Sequence, residues 1–547
     1  MGSFNKAAEE LKTLVRAAYP IIYLISDEKE LSTFQILLSM SRESKKKIYS
    51  WDVKNGLGVP IISEGSYEFK IKDEECIDPI SAIDAIEDFP DHENIIYILS
   101  EFHHYLEDPR VQRRLRNFTE TIASYKKRTI IMLSTKNDGM SSGKKIPPEL
   151  ENILTILEWP YPDQEDIKRV LTEKHIPNFN EKISELNLEP MNFNEEEEQE
   201  LINACRGMTF SQIEHALSKS MVKQRKLVPK IIAEEKKQII QKSGLCDYIE
   251  PSEQLSDIGG LERLKEWLRL RKRILSEEAF NFGCDHPKGI LLLGPWGSGK
   301  SSAAKAIINE WNLPGIRIDA SKIFNMYVGD SEQRIRSILN LAESISPSIL
   351  WFDEVENLIP SDNDSETDGG TSSRVLGIIS TWMSEHSGTV FCIFTANDIT
   401  NRPPKLFRKG RLDEIFIVDL PVEQERREIF KIHLMKRLYK QKSISILDNI
   451  NLDTLAKESH NFSGAEIASC VNDAIITCFN DGKRKIKTSD IVKSIKQTIP
   501  ISCTMREEIN RLRDIQKGKA VCASIYPPEE ICDIKKFNTR IGSVIEI

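Results

Sequence analysis

The stretch from residue 289 to 310 restricts the fold of this 547-residue chain more than any other. An apolar run, GILLL, leads directly into Gly294-Pro295-Trp296-Gly297-Ser298-Gly299-Lys300-Ser301, and a helical pattern continues from Ser302. The octet fits G-x-x-x-x-G-K-[ST], with a strand before it and a helix after it as the pattern requires. Glycines at 294, 297 and 299 let backbone N–H groups curl around phosphate oxygens at a helix N-terminus. Lys300 is placed to reach β and γ oxygens and Ser301 to ligate Mg²⁺, so residues 294–302, closing with Ser302, are the candidate binding segment for ATP or GTP. Such a turn belongs at the carboxyl edge of a doubly wound parallel sheet. A second Gly-Lys pair, in Ser142-Gly143-Lys144-Lys145, has neither the leading glycine nor the strand and reads as a surface loop.

The surrounding pattern agrees with a layered α/β fold. Apolar and β-branched runs at 289–293, 315–319, 348–352, 390–395 and 415–418 alternate with helical ones. The first half repeats this layout at an offset of roughly 253 to 268 residues, too long for a solenoid and suited to a duplicated domain. Residues 21–25 stand where 290–293 stand, 95–101 mirror 349–354, 129–135 mirror 389–395, and 207–213 mirror 461–467. The first copy departs at its centre. Its first strand runs into Ser26-Asp27-Glu28-Lys29-Glu30 instead of glycines, and Ser100 stands where the second copy has Asp353. Side chains at every position and three carboxylates would repel phosphate, so this copy is expected not to bind ATP.

The expected architecture is therefore α/β, two doubly wound parallel-sheet modules with helical lids, the first degenerate. Residues 1–160 would be the degenerate module, 161–220 its lid, 221–256 a solvated Lys- and Glu-rich linker, 257–421 the active α/β domain and 422–500 its lid. Residues 501–547 carry no readable pattern.

Composition excludes several classes of function. Lys and Arg number 75 against 84 Asp and Glu, a net charge of −9 that argues against a global grip on nucleic acid or anionic lipid. Ten cysteines without a C-x-x-C pair read as isolated thiols in a reducing compartment, not as a disulfide or zinc framework. No apolar run approaches the roughly 18 residues of a membrane helix. The N-terminus, acidic and without an apolar core, reads as neither a signal nor a transit peptide, and Lys6 stands where a myristoylation signal wants Ser or Thr. With no H-E-x-x-H in the chain, a fused zinc protease is excluded.

Three further constellations carry chemistry. The run Ile349-Leu350-Trp351-Phe352-Asp353-Glu354 reads as a buried strand ending in two carboxylates, Asp353 to hold Mg²⁺ through water and Glu354 to polarise an attacking water. Thr395-Ala396-Asn397 closes the next strand, where the Asn397 amide can orient that water and touch the γ-phosphate. Arg408 and Arg411, three apart, suit charge developing on a transferred phosphoryl group, and their spacing leaves open whether they act in cis or in trans.

Together with Asp257-Ile258-Gly259-Gly260-Leu261 and Phe462-Ser463-Gly464-Ala465-Glu466, these segments resemble one ATPase domain of the AAA family. The resemblance implies ATP and Mg²⁺ as cofactors, Ile258, Gly259, Gly464 and Ala465 beside the adenine, Asn397 as the first sensor, and Arg408 and Arg411 as fingers reaching into the neighbouring subunit of a ring. Ala465, where clamp loaders and related DNA machines carry a second-sensor arginine, sets the chain apart from them. Residues 326–332 resemble the family's first pore loop, which implies that Tyr327, with Val328, grips a translocating peptide. Nearly the whole chain resembles a group of AAA proteins from algal plastids and cyanobacteria, implying a location in the plastid stroma. Trp296 and Leu412 depart from the family's usual residues at tolerant positions. The implied function is an ATP-hydrolysing remodeller of an unidentified protein client, working as a homo-oligomer and by family resemblance a hexamer. The alternative is a slow nucleotide-gated interaction switch that threads nothing.

Overall fold

The structure is a computed structural model that describes residues 2–26, 37, 46–63, 66–73, 76–87, 95–123, 128–134, 146–177, 179–180, 193–242, 246–249, 253–275, 279, 282–319, 323, 330–358, 371–386, 389–398, 410–440 and 449–531. Two compact units divide the chain, Met1–Lys242 and Ser243–Ile547. Among the described residues each unit carries one seven-stranded sheet.

In the first unit the strands are β1 (Ile21–Ile25), β2 (Lys47–Asp52), β3 (Gly56–Ser63), β4 (Ser66–Asp73), β5 (Ile95–Ser100), β6 (Thr129–Ser134) and β7 (Leu154–Glu158), in the order β4-β3-β2-β5-β6-β1-β7. In the second they are β8 (Asp247–Ile249), β9 (Gly289–Leu293), β10 (Gly315–Asp319), β11 (Ser348–Asp353), β12 (Val390–Ala396), β13 (Glu414–Ile417) and β14 (Val521–Cys522), in the order β14-β13-β9-β12-β11-β10-β8. Five of the parallel strands in each sheet share one topology: β7-β1-β6-β5-β2 in the first unit corresponds to β13-β9-β12-β11-β10 in the second. The flanks differ. The first sheet is extended by the antiparallel strands β3 and β4, the second by antiparallel β8 at one edge and parallel β14 at the other.

The continuous apolar runs follow from this topology, because a parallel sheet is covered on both faces and buries every residue of its central strands. Residues 21 to 25 are all buried, and the period of two sorts them. Ile21, Tyr23 and Ile25 join one core with Tyr97, Leu99 and Met132, while Ile22 and Leu24 join the opposite core with Leu11 and Val15 of the helix Ser3–Arg16. In the second unit Ile290 and Leu292 pack with Trp351, Phe391 and Phe416 against Ala303, Ile307 and Trp311 of the helix Lys300–Trp311. A lid of four helices, Glu423–Lys440, Leu452–Glu458, Gly464–Asn480 and Thr488–Gln497, encloses its own core of Phe430, Leu434, Leu455, Ile467 and Val471.

Two segments differ from the sequence reading. The stretch 221–256, expected as a solvated linker, is shared between the units: Pro229–Lys242 is a helix packed on the helices Glu195–Cys205 and Phe210–Gln224, with Ile232 buried among Ile202, Ile213 and Leu217. Asp247–Ile249 is an edge strand of the second sheet, and Leu255 lies in its core. Charged residues outnumber the apolar stripe here, so composition hid an amphipathic helix. The tail, which showed no pattern, forms the helices Ile501–Thr504 and Arg506–Lys519 and then β14. Beyond β14, Glu529 pairs with the fully buried Arg426 at 2.8 Å and accepts from Glu423 N at 2.7 Å, while Arg513 on the helix Arg506–Lys519 pairs with Asp419 at 2.7 Å.

Candidate nucleotide-binding and hydrolysis site

Past β9 the chain turns through residues 294–299 into the helix Lys300–Trp311. Gly297 and Gly299 take φ of +76° and +102°, where a side chain would be strained, and a Cβ on Gly297 would also lie 2.9 Å from Ser463 Oγ. The helix N-terminus faces a cavity of about 460 Å³. Residues 296–302 line it together with Asp353, Glu354, Asn397, Ile258, Gly259, Gly464 and Ala465, so segments far apart in sequence meet at one place. Gly294 and Pro295 lie behind this lining, and their carbonyls accept from Lys300 Nζ at 2.8 and 2.9 Å. Lys300 is 8% exposed. Burial pushes its pKa down to about 8, against the pull of Glu356, Asp353 and Glu354. A buried ammonium beside a row of helix N-terminal amides fits the charge of a triphosphate.

Asp353 ends β11. Its Oδ1 accepts from Thr395 Oγ1 at 2.7 Å, and its Oδ2 accepts from Arg317 Nη2 at 2.7 Å and Nε at 3.1 Å. With both oxygens engaged, Asp353 suits a contact with Mg²⁺ through water, and Ser301 lies on the cavity wall, where its hydroxyl could reach the same ion. These two residues would hold the ion with the nucleotide's phosphates. Glu354 follows in the left-handed region at φ 53°, its backbone N donating to Thr395 Oγ1 at 3.3 Å. Its side chain is exposed on the cavity wall, and Oε2 accepts from Asn357 Nδ2 at 3.2 Å. Asn397, 8% exposed, lies just past β12 and donates from N and Nδ2 to Glu356 Oε1 at 3.1 and 2.6 Å.

At the opposite end of the cavity the lid meets the phosphate loop. Ser463 caps the helix Gly464–Asn480 in a reciprocal box with Glu466, which places Ala465 N 3.1 Å from Gly297 O as a donor. The segment after Ile258 is tied to the lid as well: Gly260 N donates to Glu428 Oε2 at 2.9 Å and Leu261 N to Glu425 Oε1 at 3.3 Å. The sequence reading missed Ile429, Ile432, His433 and Lys436, which line this end from the helix Glu423–Lys440. Burial, with Lys436 and Arg437 nearby, lowers the His433 pKa and favours a neutral ring. Their spacing on one helix face was the available signal, and it equally describes a core stripe. Arg317, Thr395 and Glu356 were also unassigned.

Arg411 does not line the cavity. Its Nε donates to Ser384 Oγ at 2.9 Å, on the helix Thr371–Glu385. Arg408, Tyr327 and Val328 lie outside the described residues, as do residues 27–30 of the first unit. Among the described residues no helix is long and apolar enough to cross a membrane, and no group of three His, Cys, Asp or Glu forms a metal cluster.

A five-strand parallel order, a glycine loop opening a helix and carboxylates at the end of β11 define a P-loop nucleotide-binding domain under a helical lid. The chain belongs to the AAA ATPase family. The profile of the ATPase family associated with various cellular activities matches residues 290–420, and that of the AAA+ lid domain matches residues 449–493. The first unit matches the N-terminal domain of SpoVK-like AAA ATPases over residues 7–159 and their second domain over residues 165–243. Over most of its length the chain is similar to the uncharacterized AAA domain-containing protein ycf46, the hypothetical chloroplast reading frame forty-six that the sequence resembles. Identity is 34% to the Guillardia theta protein, covering 95% of this chain and 97% of that one, and 35% to the Trieres chinensis protein, covering 91% and 94%. The proteasome-activating nucleotidase of Saccharolobus solfataricus is 33% identical over 255 residues, 45% of this chain and 63% of its own.

Proposed function

We propose that the protein is a MgATP-hydrolysing, ring-forming remodeller of a protein client, acting in the plastid. The observation that carries this reading is the single cavity joining Lys300, Asp353, Glu354 and Asn397. In it Lys300 and the backbone amides of the loop bind the phosphates, while Ser301 and Asp353 would hold Mg²⁺, which would supply charge neutralisation on the phosphates. Glu354, the exposed carboxylate, accepts the proton of the attacking water, and Asn397 orients that water. Arg408 and Arg411 of a neighbouring copy complete the site in a hexameric ring, and Tyr327 with Val328 grips the client. Arg411 does not line the cavity of its own chain, and this placement supports action in trans. The similarity over 255 residues to a proteasome-activating nucleotidase supports the remodeller class, and similarity to ycf46 proteins supports the plastid location.

The test is MgATP turnover per chain against protein concentration, for wild type and Arg408→Ala. Turnover that rises with concentration and collapses in the variant is expected. Low turnover, flat with concentration and indifferent to Arg408, would overturn the ring and leave a self-contained nucleotide switch.

A further inference from the structure

Deepening the ATPase reading, on which this rests, we infer that Glu356 is a positioning residue of the hydrolysis site that fixes the orientation of the Asn397 amide. Glu356 lies on the short turn Val355–Asn357 that follows the left-handed Glu354. There its Oε1 accepts twice from one residue, from Asn397 N at 3.1 Å and from Asn397 Nδ2 at 2.6 Å. A primary amide has two N–H groups and one carbonyl oxygen. With one N–H held by a carboxylate, the amide cannot rotate or flip without losing a charge-assisted bond. The remaining N–H and the carbonyl then point in set directions beside the phosphate loop. A water-orienting amide needs that constraint, because a small misplacement of a catalytic group is costly in rate.

The second oxygen of Glu356 strengthens the assignment. Oε2 is buried and has no hydrogen-bond partner, a situation that native structures rarely leave without a reason. Glu356 also attracts the ammonium of Lys300, more strongly than Asp353 or Glu354 does. Lys300, Glu356 and Asn397 thus form one electrostatic series from the phosphate loop to the end of β12. The three carboxylates of the segment also separate by their bonding. Both oxygens of Asp353 are taken by Arg317 and Thr395, Glu354 is exposed toward the cavity, and Glu356 is committed to Asn397. Glu356 therefore does not compete with Glu354 for the attacking water.

The experiment measures kcat and KM for ATP, and affinity for a fluorescent ATP analogue, on the full chain in Glu356→Ala, Asn397→Ala, their double variant and Glu356→Gln. Each single Ala variant is expected to lose about tenfold to a hundredfold in kcat, with KM and analogue affinity within about threefold of wild type. The double variant should be no slower than the slower single one, and Glu356→Gln, which keeps an acceptor oxygen, should fall between Glu356→Ala and wild type. Losses that multiply in the double variant, or wild-type kcat in Glu356→Ala, would overturn the assignment, as would a parallel loss of nucleotide affinity. Should Glu356→Ala fail to fold, Glu356→Gln combined with Asn397→Ala closes the same cycle. A wild-type chain without MgATP-dependent turnover would overturn the ATPase reading itself, an outcome distinct from active wild type with multiplying losses.

Discussion

The two units share a framework and differ in the residues placed just beyond it. In both, the strand order of the central five is the same. The backbone N after the first strand donates to the end of the fourth, Ser26 to Ser134 O at 2.8 Å and Gly294 to Ala396 O at 3.2 Å. A glutamate at φ 53° follows the third strand of each, Glu101 in one and Glu354 in the other. Yet the first unit has Ser100 at the position of Asp353 and no glycine among residues 26–30. The apolar interior of the strands holds the sheet edge in place, whereas phosphate chemistry resides on residues past the strand ends that the core does not need. A module can lose the second while keeping the first, and the framework alone predicts no activity.

Substitutions in the two units separate framework from chemistry. Replacing Arg408 and Arg411 together by Ala should lower turnover by about 10³ to 10⁵ with ATP still bound, and a loss of only about twofold would remove the trans-finger role. Glu354→Gln should lower hydrolysis by about 10² to 10⁴ and trap bound ATP. Its counterpart Glu101→Gln in the first unit should leave turnover within about twofold, and a comparable loss there would make the first unit catalytic. Glu529→Ala leaves the fully buried Arg426 guanidinium without its 2.8 Å carboxylate. Carbonyls of Pro421 and Ala456 still accept from Arg426, so the expected cost is about 1–3 kcal/mol in denaturant unfolding of the second unit. The smallest effect on stability is that of Lys300→Met in the chain without nucleotide. Burial holds Lys300 at about 8 against an ordinary 10.5, so below pH 8 the folded chain bears the full cost of a buried charge, and that cost fades as pH rises from 8 to 10.5. The variant should melt a few degrees higher at neutral pH, with the gain shrinking above pH 8.

Much of the second unit was legible because its signals are local. Five apolar runs and the glycine loop are each contiguous, and the strands lie within a residue of where the runs predict them. Other elements owe their existence to neighbours. β8 and β14 are three and two residues long and are strands through their pairing with β10 and β13. β3 carries Gly56, Gly58 and Pro60, a composition that argues against a strand until its place in an edge hairpin is known. The site divides in the same way. The phosphate loop could be read residue by residue, but Glu428 reaching Gly260 across 168 residues, or Glu356 turning toward Asn397, follows from packing and leaves no mark in local spacing. Arg317 on β10 reaching Asp353 on β11 belongs to the same class, a cross-strand contact set by register.

Counting bound ATP decides whether one or both of the two like frameworks hold a nucleotide. Calorimetric titration of Glu354→Gln with MgATP should give one site per chain, and adding Lys300→Met should abolish it. Two sites per chain, or one that survives Lys300→Met, would place a nucleotide in the first unit and contradict the account.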